Sequence, residues 1–464
     1  FRQGAHMSKV KIGLEVHIQL ATESKLFCSC ATKNQDEPNS SVCEICLGMP
    51  GSKPMLNKRA VEHATRMAIA LGSKVADEMS FSRKTYFYPD LAKGFQITQF
   101  ERPIAKGGSL DLKDRKIKIT RIQIEEDPAK LVYSGASIDT SDFVFMDYNR
   151  SGTPLIELVT DPDFENPQQA HEFLDELLSI LRYIGIHDED YCTLRVDANI
   201  SIEGGTRVEI KNITGFADVK KALNFEIIRQ ENLVRQGKKV LRETRHFDEK
   251  TGVTKSMRLK EEEEEYGYIF EPDLPRIELP NILAETRKTM PELPRERVAR
   301  LQKQFRLSEH FAKVLTVQKD LGDFFEGCAK EFKNHALLAN WVANDLQKCL
   351  NYQEVSIKKS KVEKKGFLKF LQKIEKGDIT EREAKELIKK YVEKGGQIEK
   401  LIVKADFDLE EIASSIIKAN PKVVEDFKSG KKEAMNFFVG EILKKTNFKA
   451  DPKQVRELVQ KRLK

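Results

Sequence analysis

Apolar and polar residues alternate with a period of two from Lys9 to Leu20. Leu14, Val16, Ile18 and Leu20 share one face, while Glu15, His17 and Gln19 share the other. That pattern predicts a strand with one buried side. Further β-rich runs lie at Ile117–Ile124, Phe143–Met146, Leu194–Ile202 and Arg207–Ile213. Helical periodicity separates them at Asn57–Leu71 and at Gln168–Ile184, the latter opening after Asn166-Pro167, a helix-start signal. Interleaved strands and helices without a regular βαβ beat predict an α+β domain with a largely antiparallel sheet.

Pro275, Pro280, Pro291 and Pro294 then mark a linker. Beyond it the period is helical throughout, at Arg295–Phe305, Ser308–Lys319, Phe324–Phe332, Leu337–Leu350, Lys361–Lys376, Thr380–Lys394 and Leu409–Lys418, with Gly395-Gly396 as a stop. The expected organisation is a tag remnant over 1–6, a first domain over 7–285, a helical domain over 286–403 and a helical tail over 404–464.

No run approaches the roughly 18 apolar residues of a membrane span, and no secretory pattern follows Met7, so a soluble, cytoplasmic protein is expected. A net charge of +6 on 464 residues says little about partners. The cysteines say more. Cys28, Cys30, Cys43 and Cys46 cluster as Cys-x-Cys-x12-Cys-x2-Cys, whereas Cys192, Cys328 and Cys349 are scattered. Two short pairs flanking a loop suit a closed tetrahedral zinc site in segment 26–48, and we prefer that reading to free thiols or two disulfides. Four thiolates leave no open coordination position, so the ion is expected to be structural.

Chemistry is suggested by the polar faces of the strands. Glu15 and His17 share one face. Arg121, Gln123 and Glu125 share another, with Glu126 and Asp127 following. Glu157 interrupts an apolar run, Arg195, Asp197, Asn199 and Ser201 alternate, and Glu209 precedes Lys211. A sheet with one solvated face would explain any one strand. If the five strands are neighbours, their polar faces form a surface rich in carboxylates and cations, which suits a magnesium nucleotide. Neither a Gly-x4-Gly-Lys-Ser/Thr loop nor a Gly-x-Gly-x2-Gly turn is present, so metal and side chains would have to hold phosphate. Lys84, within an aromatic run, and Arg258 and Lys260 are candidate cations. From Lys428 onward eleven basic residues face four acids, with Phe437, Phe438 and Phe448 interleaved. That excess fits an RNA backbone and equally a lysine-rich helix surface.

Taken together, these residues resemble the B subunit of the glutamyl-/aspartyl-tRNA amidotransferase, the GatB family. The resemblance is carried by GLEVHIQL at 13–20, FSRKTYFYPDLAKGFQITQF at 81–100, RIQIEEDPAK at 121–130, NRSGTPLIELVTDPD at 149–163, LRVDANISI at 194–202, VEIKNI at 208–213 and GKKEAMNFFVGEIL at 430–443. It implies a cradle domain related to glutamine synthetase, then a helical domain and a tail of the YqeY type. It implies a ligase that uses ATP to phosphorylate the side-chain carboxylate of Glu-tRNA(Gln) or Asp-tRNA(Asn) before amidation. The implied partners are an amidase subunit that supplies ammonia, a small linker subunit, misacylated tRNA and a non-discriminating aminoacyl-tRNA synthetase. Glu15, His17, one of Glu125 and Glu126, and Glu157 are the implied magnesium ligands. Strand phasing groups Glu125 with Arg121 and Gln123, but the family pattern selects Glu126. Lys84 and Lys211 are implied phosphate contacts, Asp197 supports metal or ammonia, and Lys428, Lys431 and Lys432 face tRNA. Zinc occurs in some members only, so it is not required for the chemistry. Two rivals remain to be weighed: a non-catalytic, zinc-stabilised RNA-binding protein, and a free-standing ligase acting on a small molecule.

Overall fold

The computed structural model describes residues 9–33, 37–135, 141–259, 266–396, 398, 408–429, 431–446, 450 and 452–463. Its main sheet runs, edge to edge, through Val253–Leu259, Glu243–Asp248, Val208–Thr214, Leu194–Ile202, Val10–Gln19, Pro154–Thr160, Lys116–Glu126, Ala105–Lys106 and Lys74–Val75. The five strands with mixed polar faces are therefore consecutive neighbours, and Val10–Gln19 lies at their centre. All these pairings are antiparallel except that of Val208–Thr214 with Glu243–Asp248.

A parallel pair needs a long crossover, and the helix Phe216–Arg235 supplies it. Its periodicity is concealed in the sequence. The face toward the sheet carries Val219, Ala222 and Leu223, but also fully buried Glu226 and Gln230. Arg229, Gln230 and Thr254 donate hydrogen bonds to Glu226 at 2.6–2.9 Å, which offsets the cost of burying its carboxylate.

The helices Lys58–Ala70 and Pro167–Ile184 form where the apolar period predicts them. Each is opened by an asparagine, Asn57 or Asn166, whose side chain accepts a backbone amide of the first turn. The apolar face of the central strand belongs to the same core: Ile12, Leu14, Val16 and Ile18 are each no more than 1 % exposed. Burying a side chain of that size contributes about 1.5–3 kcal/mol.

The proline-rich stretch is structured. Ile277–Glu278 pairs with Glu78–Met79, and Pro280 begins a helix to Lys288 that packs on Lys58–Ala70. Proline at a first helical position forfeits no hydrogen bond, so here it starts structure. The chain divides into compact units Phe1–Leu293 and Pro294–Lys464. The described part of the second unit is helical, with one core around Phe325, Trp341, Phe367 and Tyr391 and another around Phe438, Ile442 and Val455. The Leu337–Leu350 pattern is interrupted by a π-helical stretch, Trp341–Leu346.

Candidate active site

Strand register brings the polar residues together. Glu157 and Arg195 flank His17 on the adjacent strands, and Gln123 lies beyond Glu157. His17 Nδ1 is 3.1 Å from Glu125 Oε1, and Nε2 is 4.0 Å from Asp197 Oδ2. Donor atoms of His17, Glu125 and Glu157 all lie within 4.8 Å of one another. A second acidic triad, Glu15, Asp197 and Glu209, meets the same limit. Glu209 is a member that sequence reasoning left without a role, although its place two residues before Lys211 on a polar face is visible there.

The two neighbouring acids separate. Glu125 turns toward His17 and accepts from Thr98 Oγ1 at 3.2 Å. Glu126 turns away, toward Lys93 Nζ at 2.6 Å and the Ile97 amide at 2.8 Å. Alternation along the strand, which groups Glu125 with Arg121 and Gln123, describes this placement. Choosing Glu126 by family pattern does not, since consecutive strand residues face opposite sides.

Crowding sets the electrostatics. Burial opposes a charge on His17, but the hydrogen bond and charge of Glu125, with Asp197 and Glu157 behind it, push its pKa up to about 9. Burial, then the charge of Glu125, pushes Glu157 up to about 7. Burial also opposes the charge on Lys84, yet Glu125 and Glu157 hold it above the ordinary lysine range. Lys211 Nζ lies 3.1 Å from Glu209 and 3.6 Å from Asp197; despite burial these acids raise it strongly. Asp197 is fixed by the Asn212 amide at 2.7 Å, and Asn212 holds φ +56°. Glu157, raised by burial and by Glu125, stands with Glu125 and an imidazole in a donor set that fits a hard divalent cation.

These groups border a cavity of about 700 Å³ lined by His17, Lys84, Glu125, Arg195, Asp197 and Lys211. A three-stranded sheet, Phe95–Thr98, Ser82–Thr85 and Gly267–Phe270, carries Lys84 to it. The Tyr266 ring lies 4.4 Å from Lys84 Nζ, a second partner that the sequence did not signal. Backbone pairing puts Arg258 opposite Thr244, which lines the cavity. The side chain of Arg258, and Lys260 with Glu261–Glu265, lie outside the described residues, as do Phe1–His6 and the side chain of Lys432. In the second unit Lys428 and Lys431 are exposed, and Lys431 pairs with Asp426 at 2.7 Å.

The sulfur atoms of Cys28, Cys30, Cys43 and Cys46 also lie within 4.8 Å of one another. The hydrogen bond from Cys28, with the Cys43 amide and the Lys25 ammonium, pulls Cys46 down to about 4 against the effect of burial. Fully buried Lys25 is 3.6 Å from that sulfur and donates to the carbonyls of Ser41 and Tyr148. A ready thiolate among four converging sulfurs suits zinc. His63 is a core histidine: burial lowers it to about 4, and it lines neither cluster. His171 sits on a helix beside Asp175, and His246 pairs across from Lys211 on the neighbouring strand.

Residues 10–285 match the model of the GatB/GatE catalytic domain, and residues 323–463 match that of the GatB domain. The chain is 44% identical over 470 residues to a Sulfolobus acidocaldarius protein named as the B subunit of aspartyl/glutamyl-tRNA(Asn/Gln) amidotransferase, covering 98% of this chain and 99% of the relative. It is 43% identical to the protein of that name from Methanoregula boonei, covering 97% of each. The Carboxydothermus hydrogenoformans protein is 40% identical, with 97% of this chain and 98% of the relative covered. With both family models and full-length relatives in agreement, the chain belongs to the GatB family.

Proposed function

We propose that this chain is the kinase and amidation subunit of a glutamine-hydrolysing, tRNA-dependent amidotransferase acting in the cytoplasm. Its substrates would be Glu-tRNA(Gln), Asp-tRNA(Asn) or both. The observation that carries the reading is the pair of donor triads on adjoining strands, beside one cavity that also holds Lys84 and Lys211. In this reading the first unit is a cradle of the glutamine-synthetase type. Domains over 7–285, 286–403 and 404–464 have separate duties: chemistry, spacing and contact with the tRNA body through Lys428, Lys431 and Lys432.

A carboxylate is a poor electrophile, and transfer of the γ-phosphoryl group of ATP onto it creates a leaving group that ammonia displaces as phosphate. His17, Glu125 and Glu157 would hold one magnesium ion, and Glu15, Asp197 and Glu209 a second. When bound, such ions neutralise charge between the triphosphate and the incoming carboxylate. Lys211, held above its ordinary range by Asp197 and Glu209, stays cationic and would meet phosphate oxygens, as would Lys84; Arg258 and Lys260, whose side chains lie outside the described residues, are further candidates for that role. Asp197, locked by the Asn212 amide, has a fixed carboxylate to orient the ammonia or a metal. Glu126 positions the Phe95–Thr98 strand through Lys93 and Ile97 and belongs to neither triad. Zinc on the four cysteines is a staple beside the chemistry. Ammonia would come from a partner amidase subunit, joined to this chain by a small linker subunit.

The test uses the reconstituted complex. Glu15→Gln should lower ATP-dependent amidation by about 10²-fold or more while tRNA affinity is unchanged. Wild-type rates in that variant, with either mischarged tRNA, would refute the proposal and favour a binding protein with a merely solvated acidic face.

A further inference from the structure

The rim of the active-site cavity holds an aromatic ring that no described residue covers. Phe87 lines the cavity and is fully exposed, as if in an extended peptide. Its neighbours are fixed on both sides. The Tyr86 ring meets Tyr266 edge-on at 5.5 Å. On the other side the Tyr88 carbonyl accepts the Leu91 amide at 3.2 Å, Tyr148 Oη donates to the Pro89 carbonyl at 3.4 Å, and the Asp90 carbonyl accepts the Ala129 amide at 3.0 Å. The loop is thus braced while one large ring stands in water. Met257, about half exposed, lines the same cavity from the Val253–Leu259 strand.

A phenylalanine in water contributes nothing to folding, and a rigid flank reduces the entropy lost when the ring meets a ligand. Flat heteroaromatic rings stack on such platforms, and thioethers contact ring edges favourably. Both substrates in the proposed function end in adenosine. ATP is small enough for the cavity to enclose with the cations, whereas an RNA acceptor end must leave the cavity over its rim. On that reading of the function, we infer that Phe87 is the stacking platform for the 3′-terminal adenine of the aminoacylated RNA, with Met257 at the ring edge. Stacking there sets the depth to which the acceptor end enters. Phe87 touches substrate without taking part in bond making.

The experiment measures KM for misacylated tRNA and for ATP separately, in the complete amidotransferase containing Phe87→Ala, with Phe87→Trp as the conservative variant. The exposed ring can be removed without leaving a cavity, and unchanged circular dichroism checks this. Phe87→Ala should raise KM for the aminoacylated tRNA by about 5- to 150-fold, the range of one base stack. KM for ATP should stay within about twofold, and Phe87→Trp should restore the tRNA value. A rise in KM for ATP instead would assign the ring to the nucleotide and overturn the inference. So would two unchanged KM values, or a lower kcat alone. Failure of the functional reading itself would be seen separately, as wild-type amidation rates in Glu15→Gln.

Discussion

Glu125 and Glu126 are adjacent, chemically identical and both buried, so substituting each by glutamine isolates the effect of where the carboxylate points. Glu125 faces His17 at 3.1 Å and belongs to a triad whose donor atoms lie within 4.8 Å. Glu125→Gln keeps the shape, removes a charge from the triad and takes away the principal group that raises His17. Removing one fixed charge or donor from a reacting site costs about 10²–10³ in kcat. The same substitution should raise the magnesium concentration needed for half-maximal activity by at least about tenfold.

Glu126 makes a buried ion pair with Lys93 at 2.6 Å, and the two side chains are 5 % and 13 % exposed. Glu126→Gln can still accept the Ile97 amide but leaves Lys93 without its counter-charge. Stranding one partner costs about 3 kcal/mol of stability. The assay is therefore twofold: magnesium titration of ATP-driven amidation, and urea unfolding of the isolated chain. Glu125→Gln should shift the first strongly, whatever it costs in stability through His17; Glu126→Gln should move the second and leave the first near wild type. If Glu126→Gln abolishes magnesium dependence while Glu125→Gln leaves it intact, the assignment by strand face is wrong.

Two further outcomes follow from the candidate metal sites. Without metal, His17 holds its proton up to about pH 9. A protonated ring cannot ligate, so magnesium affinity should rise as pH climbs from 7 toward 9, by up to about tenfold per unit, and level off above. Calorimetry in buffers of different ionisation enthalpy should then register a proton released per ion bound near pH 7, and no release would exclude His17 as a ligand. At the cysteine cluster, Cys46→Ser should release zinc to a chromogenic chelator and lower the melting temperature of the first unit. Magnesium-dependent amidation below that temperature should persist; its loss from a folded variant would place zinc in the chemistry.

Much of this arrangement is legible in the sequence because strands write their faces plainly. Glu15 and His17 alternate with Leu14, Val16 and Ile18, and a single strand therefore reveals both the core and the site. The register across strands is another matter. Nothing local dictates that Glu157 pairs beside His17, since that depends on which strands become neighbours. Long helices with apolar stripes, such as Pro167–Ile184, are equally plain. The Phe216–Arg235 helix is not, because its buried face uses Glu226 and Gln230, and the Glu226 carboxylate is satisfied by Arg229, by Gln230 and, from a distant strand, by Thr254. Tyr266 is hidden for a related reason. Its role over Lys84 comes from a strand pairing between segments far apart in the chain. The choice between Glu125 and Glu126 shows the opposite case, where simple alternation carries more positional information than a family motif.

In the proposed function, the charges at the site bear on how metal and anions bind together. Glu15, Glu125, Glu157, Asp197 and Glu209 supply five carboxylates against five cations, namely His17, Lys84, Lys211, Arg195 on the cavity wall and Arg121, 3.4 Å from Glu157, so the fully ionised set is balanced. Protonation of Glu157, pushed up to about 7, removes one of those negative charges. The proposed reaction would bring two more anions, a triphosphate and a substrate carboxylate, to the same groups. In a partly buried cavity like charges at such separations repel by several kcal/mol. In the proposed function, divalent cations on the two triads would offset that repulsion before both anions are in place. Metal on the triads would also take the carboxylates that hold Lys84 and Lys211 charged, and so free both lysines to meet phosphate.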